Sequence, residues 1–285
     1  MLTDLFKSSQ TILSSKTSLV PPLIKWTGSK RSQAHEINSY FPEYSRYFEP
    51  FLGGGALLYL NSEKDAYVSD LYEPLIKIWK IVQEKPDDTI ESYHDNWTKL
   101  QNQFPDYYYR VRERFNKYQD PLDLLFITRT CVNGIVRFND KGEFNNSFHL
   151  SRPGINPNTF SKIVYVWSRK IKNVSFESYN YKVALTHIKK GDFIYMDPPY
   201  FGNKNRYISN LDYEDFVQFL EKLNLKGVKF ALSFDGFRNG VDLRKAIPKH
   251  LYKRKILIHS GDSSVKKVLN GGQVHRVEES LYLSY

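Results

Sequence analysis

A strand, a turn of glycines and a helix follow one another in quick succession near the start of the chain. Residues 46–51 have the composition of a short strand and run into Gly53, Gly54 and Gly55. The residues that come next favour a helix: Ala56, Leu57, Leu58 and Leu60. Glycines directly after a strand let the backbone turn sharply and approach a ligand closely. This order predicts the first unit of an α/β sheet, with a turn that either serves the fold alone or faces a ligand.

The same rhythm of strands and helices recurs at both ends of the chain. A second strand is predicted at 66–68, and apolar residues follow it at helical spacing: Leu71, Leu75, Ile78, Trp79 and Val82. Later the pattern predicts a strand at 193–196, an amphipathic helix at 213–223 and strands at 228–233 and 281–283. Residues 86–172, between these two parts, lack this alternation of strands and helices. We therefore predict an α/β sheet domain formed by 21–85 and 173–285, an insertion at 86–172 and a lead segment at 1–20.

The insertion carries most of the positive charge. The chain has 41 Lys and Arg against 31 Asp and Glu, a net charge of +10, and residues 99–172 hold 13 against 6. Between 104 and 118, aromatic and basic residues interleave: Phe104, Tyr107, Tyr108, Tyr109, Phe115 and Tyr118 with Arg110, Arg112, Arg114 and Lys117. The mixture suits contact with nucleic-acid phosphates and bases, and it equally suits an exposed helix whose aromatic side chains face the core. This stretch alone favours the second interpretation.

Several classes of protein do not fit this sequence. No apolar run approaches the roughly 18 residues that a membrane span requires, and residues 1–20 lack a basic stretch followed by an apolar signal core. Cys131 is the only cysteine, which excludes an intramolecular disulfide and a cysteine zinc cluster. We therefore expect a cytoplasmic protein with no membrane partner and no metal cofactor.

Asp70 ends the second predicted strand, 17 residues after Gly53. Doubly wound folds place an acidic residue at about this distance from the glycine turn, where it hydrogen-bonds a nucleotide ribose. The G-x-G-x-x-G pattern is missing, so a cofactor with an adenosine end and no pyrophosphate is favoured over NAD. The alternative is a structural turn with a capping aspartate.

The sequence Asp197-Pro198-Pro199-Tyr200 follows the apolar residues 193–196 directly. Proline lacks a backbone N–H, so the strand must end here, and the proline carbonyls stand as rigid acceptors beside the Asp197 carboxylate. A planar amino group could donate one hydrogen bond to Asp197 and one to the Pro198 carbonyl while Tyr200 stacks on the ring. Such contacts would prepare a poor nitrogen nucleophile for attack. The alternative is a simple turn.

Several segments in a fixed order carry a family resemblance. They are residues 25–30 (KWTGSK), 49–55 (EPFLGGG), 68–70 (VSD), 133–139 (NGIVRFN) with 142–145 (GEFN), and 191–200. Over roughly residues 21–285 the chain resembles the Dam-type (D12 class, alpha group) adenine-N6 DNA methyltransferases, which use S-adenosylmethionine. The resemblance implies a Rossmann-like methyltransferase sheet with an inserted, mainly helical target-recognition domain that carries a β-hairpin.

The resemblance also implies roles for individual residues. The S-adenosylmethionine site would comprise Trp26, Lys30, Glu49, Pro50, Phe51, Gly53, Gly55, Asp70 and Asp197, with Asp70 on the ribose. Catalysis would rest on Asp197, Pro198, Pro199 and Tyr200, and double-stranded DNA would be contacted by Lys25, Asn133, Arg137 and Asn139. The turn at 133–134 would form the hairpin that enters the duplex, Arg137 would suit guanine, and Phe176 would lie near a flipped-out adenine. The family further implies a monomer and, in restriction systems, a cognate restriction endonuclease.

The chain departs from many relatives just after residues 142–145. They continue with V-P-F-G, whereas this chain has Asn146, Ser147, Phe148 and His149. This segment adjoins the base-reading hairpin, so the commonest target of the family, GATC, does not transfer directly to this chain. The predicted target is GATC or another GA-containing duplex site. Two further functions stay open: an amino methyltransferase acting on RNA or protein, where related enzymes carry N-P-P-Y, and a DNA-binding relative without catalysis.

Overall fold

A computed structural model of the chain describes residues 21–151, 154–199, 211–238, 241–242, 247–260 and 277–285. Tyr200 and the predicted lead segment at 1–20 lie outside the described residues. Within them the chain forms one mixed β-sheet with helices packed against it and a mainly helical insertion. The predicted α/β class is therefore confirmed.

Seven strands follow one path through the sheet, and a short eighth strand pairs beside it. They are β1 (Arg46–Glu49), β2 (Asp65–Ser69), β3 (Ser175–Glu177), β4 (Phe193–Met196), β5 (Lys229–Arg238), β6 (Val241–Asp242), β7 (Arg254–Ser260) and β8 (Val277–Leu283). The order is β3-β2-β1-β4-β5-β8-β7, with β6 paired to β5. The first five strands of this path are parallel, whereas β8 is antiparallel to both β5 and β7. Because the strand order reverses between β1 and β4, a crevice opens at their carboxyl ends, where doubly wound sheets bind ligands.

Burial explains why these short apolar runs become strands. All four side chains of β4 are buried, as expected for a central parallel strand that is covered on both faces. All the strands that the sequence predicts are present, although β1 ends at Glu49 rather than at residue 51. Pro50 follows at once and has no N–H to continue the ladder.

The helices complete the α/β layers and form the insertion. They are α1 (Ala34–Ser39), α2 (Leu58–Asn61), α3 (Glu73–Glu84), α4 (Pro86–Asn102), α5 (Asp106–Tyr118), α6 (Pro121–Thr130), α7 (Pro157–Lys170), α8 (Ala184–His187) and α9 (Tyr213–Leu225). The helix predicted after the glycines is reduced to α2, a single turn, because residues 53–57 remain mostly in turns. The helix predicted at 213–223 is α9.

The insertion contains α4 to α7 and an irregular β-hairpin at residues 131–148. Within it α4 packs on α7 and α5 packs on α6. Proline occupies the first turn of α4, α6 and α7, where its missing N–H costs no helical hydrogen bond. Asp120 and Asn156 cap α6 and α7 by accepting backbone N–H groups.

The aromatic residues of α5 belong mainly to the core. Tyr107, Tyr108 and Phe115 are buried, while Arg110 and Lys117 point to solvent. The core-facing interpretation of this stretch is therefore confirmed for these residues. Phe104 and Tyr118 differ, since 49% and 65% of their surfaces remain exposed.

A single hydrophobic core joins the sheet to the insertion. Trp79 of α3 contacts Trp167 of α7 with ring centroids 5.1 Å apart, and it stacks on Phe176 of β3 at 5.9 Å. The same core continues to Tyr47 of β1 and Phe126 of α6. None of the helices in the described part of the chain has both the length and the hydropathy to cross a membrane.

Candidate active site

A cavity of about 240 Å³ opens at the carboxyl ends of β1 and β4. Its walls include every residue that the resemblance assigns to the cofactor: Trp26, Lys30, Glu49, Pro50, Phe51, Gly53, Gly55, Asp70 and Asp197. Pro198 and Pro199 also line it. The segments before α1 and after β1, β2 and β4 therefore meet at one place, as the sequence analysis predicts.

The glycine turn forms one wall through close backbone packing. Gly53 and Gly55 have φ of +48° and +66°, conformations that side chains disfavour. A Cβ on Gly53 would lie 2.9 Å from Trp26 Cδ1, and a Cβ on Gly55 would lie 2.9 Å from Trp79 Cη2. The turn thus needs glycine both for its conformation and for its contacts with two indole rings.

Asp70 ties the end of β2 to this turn. Its Oδ2 accepts the Gly53 N–H at 3.0 Å and its Oδ1 accepts the Tyr72 N–H at 3.0 Å. Burial raises the pKa of Asp70, and these backbone N–H groups oppose the rise. Asp70 therefore fixes the glycine turn, but it does not cap the helix that follows, whose N-cap residue is Tyr72. The same carboxyl group also faces the cavity.

Asp197 is held by a buried lysine. Lys30 Nζ lies 2.9 Å from Asp197 Oδ1 and 2.7 Å from Glu279 Oε1 on β8. Burial raises the pKa of Asp197 to about 6, while Lys30 lowers it and Glu279 raises it. Sequence reasoning missed Glu279. The available signal was a charged residue two positions before Leu281, on the alternating pattern that directs β8 side chains inward.

Glu49 is a second carboxyl group at the cavity and is buried more deeply. Only 3% of its surface is exposed, and Tyr47 Oη donates to Glu49 Oε2 at 2.9 Å. Burial raises the pKa of Glu49 to about 8; the Tyr47 hydrogen bond lowers it and the charge of Asp197 raises it. A cation in the cavity would favour the ionised form of this group.

The hairpin is built differently from the prediction. Asn133 and Gly134 have φ of 56° and 63°, and Ile135 N–H donates to Val132 O at 3.2 Å, as in a type I′ turn. The strands do not pair across this turn, because the bridges join Cys131 with Phe148 and Phe138 with Phe144. Residues 133–134 therefore kink the first arm, and the tip of the hairpin lies at residues 139–143.

The predicted DNA residues all lie on or beside this hairpin, outside the walls of the cavity. Asn133 and Arg137 are exposed, and Arg137 Nε donates to Asn145 Oδ1 at 2.8 Å. Lys25 covers Gly134, where a Cβ would lie 2.6 Å from Lys25 Cδ. Asn139 instead shapes the tip, since its Oδ1 accepts the N–H groups of residues 141 and 143.

The segment that departs from many relatives fixes the kink. Asn146 Nδ2 donates to Val132 O at 3.0 Å and to Ile135 O at 2.8 Å. Phe148 is buried against Phe104 and Tyr108. These residues support the first arm of the hairpin from behind.

The hairpin also reaches the cavity itself. Thr27 Oγ1 accepts Val136 N–H at 2.8 Å and donates to Val136 O at 3.1 Å. Phe138 lines the cavity and packs against Tyr72 at 5.5 Å, and Tyr72 packs against Trp26 at 6.0 Å. The first arm of the hairpin is thus joined to the KWTGSK segment by hydrogen bonds and by a row of aromatic rings.

One expectation for the base pocket is wrong. Phe176 does not line the cavity, because it is buried beneath Trp79 in the core. The loop that follows it supplies wall residues that the sequence analysis did not identify: Tyr179, Asn180, Tyr181 and Lys182. Asp212 and Asp215, at the start of α9, stand there as well.

Comparison with known proteins agrees with this architecture. The model of the D12 class N6 adenine-specific DNA methyltransferase family matches residues 26–267. The chain is 29% identical over 274 residues to the Type II methyltransferase M.MjaIII of Methanocaldococcus jannaschii, covering 83% of this chain and 94% of that protein. It is 30% identical over 275 residues to a DNA adenine methylase of Haemophilus influenzae, covering 92% of this chain and 89% of that protein. A DNA adenine methylase of Serratia marcescens is 32% identical over 184 residues, covering 62% and 66%. The chain belongs to the D12 class of N6 adenine-specific DNA methyltransferases.

Proposed function

We propose that the cavity binds S-adenosylmethionine and that Asp197 and Pro198 hold the N6 amino group of an adenine turned out of double-stranded DNA. The supporting observation is the meeting of the glycine turn, Asp70 and the D-P-P segment around one cavity. The enzyme acts as a monomer in this proposal. Where it belongs to a restriction system, its partner is an endonuclease of the same recognition site.

The cavity walls suit this cofactor. The carboxyl groups of Glu49, Asp70 and Asp197 line the pocket, and a cation bound there would favour the ionised form of each. Asp70 already accepts two backbone N–H groups and retains lone pairs for a ribose hydroxyl. The glycine turn lets the backbone approach the ligand, and Trp26 provides an aromatic wall. When bound, the cofactor would supply a methyl group on a sulfonium sulfur, which leaves readily as a neutral thioether.

The chain's own residues prepare the nitrogen for attack. An adenine inside the duplex cannot reach this cavity, so the base must rotate out of the stack. Asp197 and the Pro198 carbonyl accept hydrogen bonds from the two N6–H groups, which draws electron density onto nitrogen and stabilises the positive charge that grows there. One of these two protons leaves N6 when the nitrogen gains the methyl group. Tyr200 stacks on the base in this proposal. No covalent bond between the enzyme and the base is required.

The rival substrates are less well supported. Related enzymes that methylate amino groups of RNA or protein carry N-P-P-Y. Residue 197 of this chain is instead an aspartate, which when ionised has two acceptor oxygens and the negative charge that asparagine lacks. A binding protein without catalysis would have no need for an ion pair between the buried Lys30 and Asp197 at the end of β4. The proposed target is GATC or another GA-containing site, read by the hairpin with Lys25, Asn133, Arg137 and Asn139.

Methylation mapping in cells tests the proposal. The chain is expressed in a host that lacks adenine methylation, and N6-methyladenine is mapped by single-molecule sequencing. We expect methylation at one short motif, its loss in Asp197→Ala, and unchanged methylation in Asp65→Asn, a matched control at an exposed aspartate. Soluble wild-type protein that leaves the DNA unmethylated, or Asp197→Ala that still methylates, would overturn the proposal.

The pH dependence tests the charge on Asp197 separately. Because the ionised carboxylate accepts the amino hydrogen bond more strongly than the protonated acid and stabilises the positive charge that grows on N6, the single-turnover rate should rise with pH through about 6, the pKa of Asp197. Asp197→Asn keeps the shape and one acceptor oxygen but does not titrate. We expect Asp197→Asn to be at least a hundredfold slower than the wild type and to lose the fall in rate below pH about 6, which is the acidic limb of the pH–rate profile. An unchanged acidic limb would assign the titration to another group.

A further inference from the structure

Glu279 shares the lysine that holds Asp197. The Lys30 ammonium bridges Asp197 Oδ1 at 2.9 Å and Glu279 Oε1 at 2.7 Å, and the side chains of Lys30 and Glu279 are 8% and 9% exposed. Asp197 follows β4, whereas Glu279 comes from β8, on the far side of β5. A buried carboxylate is costly unless it is paired and hydrogen-bonded. Here the Lys30 ammonium contacts both Asp197 and Glu279.

We propose that Glu279 is a positioning residue for methyl transfer: it anchors Lys30 so that Lys30 holds one oxygen of Asp197 and leaves the other for the amino group of the target adenine. This inference rests on the proposed role of Asp197. It extends the site to a strand that carries no recognised motif.

The orientation argument follows from the hydrogen bonds. Lys30 occupies Asp197 Oδ1, and among the described residues no hydrogen bond occupies Oδ2. A lysine has a flexible stem and donates in three directions, so its ammonium could approach Asp197 from the side of either oxygen. The second contact, to Glu279, fixes the direction from which Lys30 approaches. Asp197 then presents the same oxygen to each substrate.

The charge argument is independent of the orientation argument. With both carboxylates ionised, the group of Asp197, Lys30 and Glu279 carries a net charge of −1. Removing Glu279 takes one negative charge away from beside Asp197, which makes Asp197 a weaker acceptor for an amino group that is gaining positive charge. The other titratable groups that face this trio in the described residues are Glu49, from the end of β1, and Tyr195 of β4.

Replacing Glu279 therefore has a signature in pH. Removing its negative charge lowers the pKa of Asp197, because Glu279 raises that pKa and Lys30 lowers it. For Glu279→Gln we expect the single-turnover rate at pH 8, with DNA and cofactor saturating, to fall at least tenfold. The acidic limb should move to lower pH by half a unit or more. Glu279→Asp keeps the charge and should keep the limb near its wild-type position.

Two controls separate positioning from a general structural effect. Glu63→Gln removes a surface glutamate that pairs with Lys170 at 2.6 Å, and it should change neither the rate nor the limb. The double variant Lys30→Met/Glu279→Gln should be no slower than Lys30→Met alone, because Glu279 acts through Lys30. This comparison also serves if Glu279→Gln folds poorly, since the double variant removes both members of the Lys30–Glu279 pair and is compared with a variant that already lacks Lys30.

The possible results distinguish this inference from the proposed function. A wild-type rate and limb in Glu279→Gln, or losses that multiply in the double variant, would overturn the inference while Asp197→Ala remains inactive. Methylation by Asp197→Ala would instead overturn the proposed function.

Discussion

At the scale of single residues, Gly55 occupies a position where a methyl group has no room. Its φ is +66°, and a Cβ would lie 2.9 Å from both Cη2 and Cζ2 of Trp79. Trp79 is fully buried and is packed between Trp167 and Phe176, so the ring has no space to retreat. The glycine turn therefore packs directly against the core that lies beneath the insertion.

Gly55→Ala should lower the free energy of unfolding by about 2–4 kcal/mol. About 1–2 kcal/mol comes from the left-handed conformation and the rest from displacing a buried ring. Gly142→Ala is the matched control, since its φ is +76° but nothing lies within 4 Å of its Cβ. It should show only the conformational part. Urea unfolding measures both, and equal losses would mean that the contact with Trp79 contributes nothing.

At the scale of elements, the first arm of the hairpin shares its backbone hydrogen bonds with the KWTGSK segment. One hydroxyl, that of Thr27, satisfies both the N–H and the C=O of Val136. Arg137 comes next along the arm and is exposed, while Phe138 turns back to the cavity. A residue proposed to read DNA thus lies between two residues that are joined to the walls of the cavity.

Thr27→Val should impair both substrates together. It leaves two backbone groups of Val136 without partners, which costs about 1–3 kcal/mol for each unsatisfied group that stays buried. We expect the KM for S-adenosylmethionine and the KM for DNA each to rise severalfold, and Thr27→Ser to restore both to within about twofold.

The matched control for Thr27 is Thr186→Val. Thr186 is an exposed threonine whose hydroxyl donates to a local carbonyl within α8 and its flank. It should leave both KM values unchanged. A rise confined to one substrate in Thr27→Val would show that the arm and the cavity act independently.

Sequence reasoning succeeds where the function follows directly from a strand end. Asp70 and Asp197 come straight after β2 and β4, and parallel strands bring their carboxyl ends to one edge of the sheet, so their meeting could be predicted. The alternation of β8 could have shown that Glu279 points inward, but not that it contacts Lys30, because that contact depends on the antiparallel addition of β8 to β5. The predicted position of the hairpin turn was wrong for a local reason. A type I′ turn at 133–134 predicts pairing across it, but Asn146 and Phe148 pair and pack the arm elsewhere.

At the scale of the whole molecule, the insertion and the sheet are expected to unfold together. Their hydrophobic core is continuous from Tyr47 of β1, through Trp79 of α3, to Phe126 and Trp167 of the insertion. Arg129 adds polar contacts, since its Nη1 donates to the carbonyls of Pro22 at 2.8 Å and Leu23 at 2.7 Å. Two regions that are separate in the sequence pattern therefore share their buried surface.

Trp167→Ala tests this shared core, because the truncated side chain belongs to the insertion while its neighbour Trp79 belongs to the sheet domain. We expect a loss of about 3–5 kcal/mol, typical of a buried aromatic residue cut to alanine. Tryptophan fluorescence and far-UV circular dichroism should still report a single urea transition with one midpoint, in the wild type and in the variant. Tyr165→Phe, on the same helix but 39% exposed, should change stability far less. If the insertion were an independent unit, Trp167→Ala would split the transition in two, with the second phase keeping the wild-type midpoint, since truncation within one unit leaves the other unaltered.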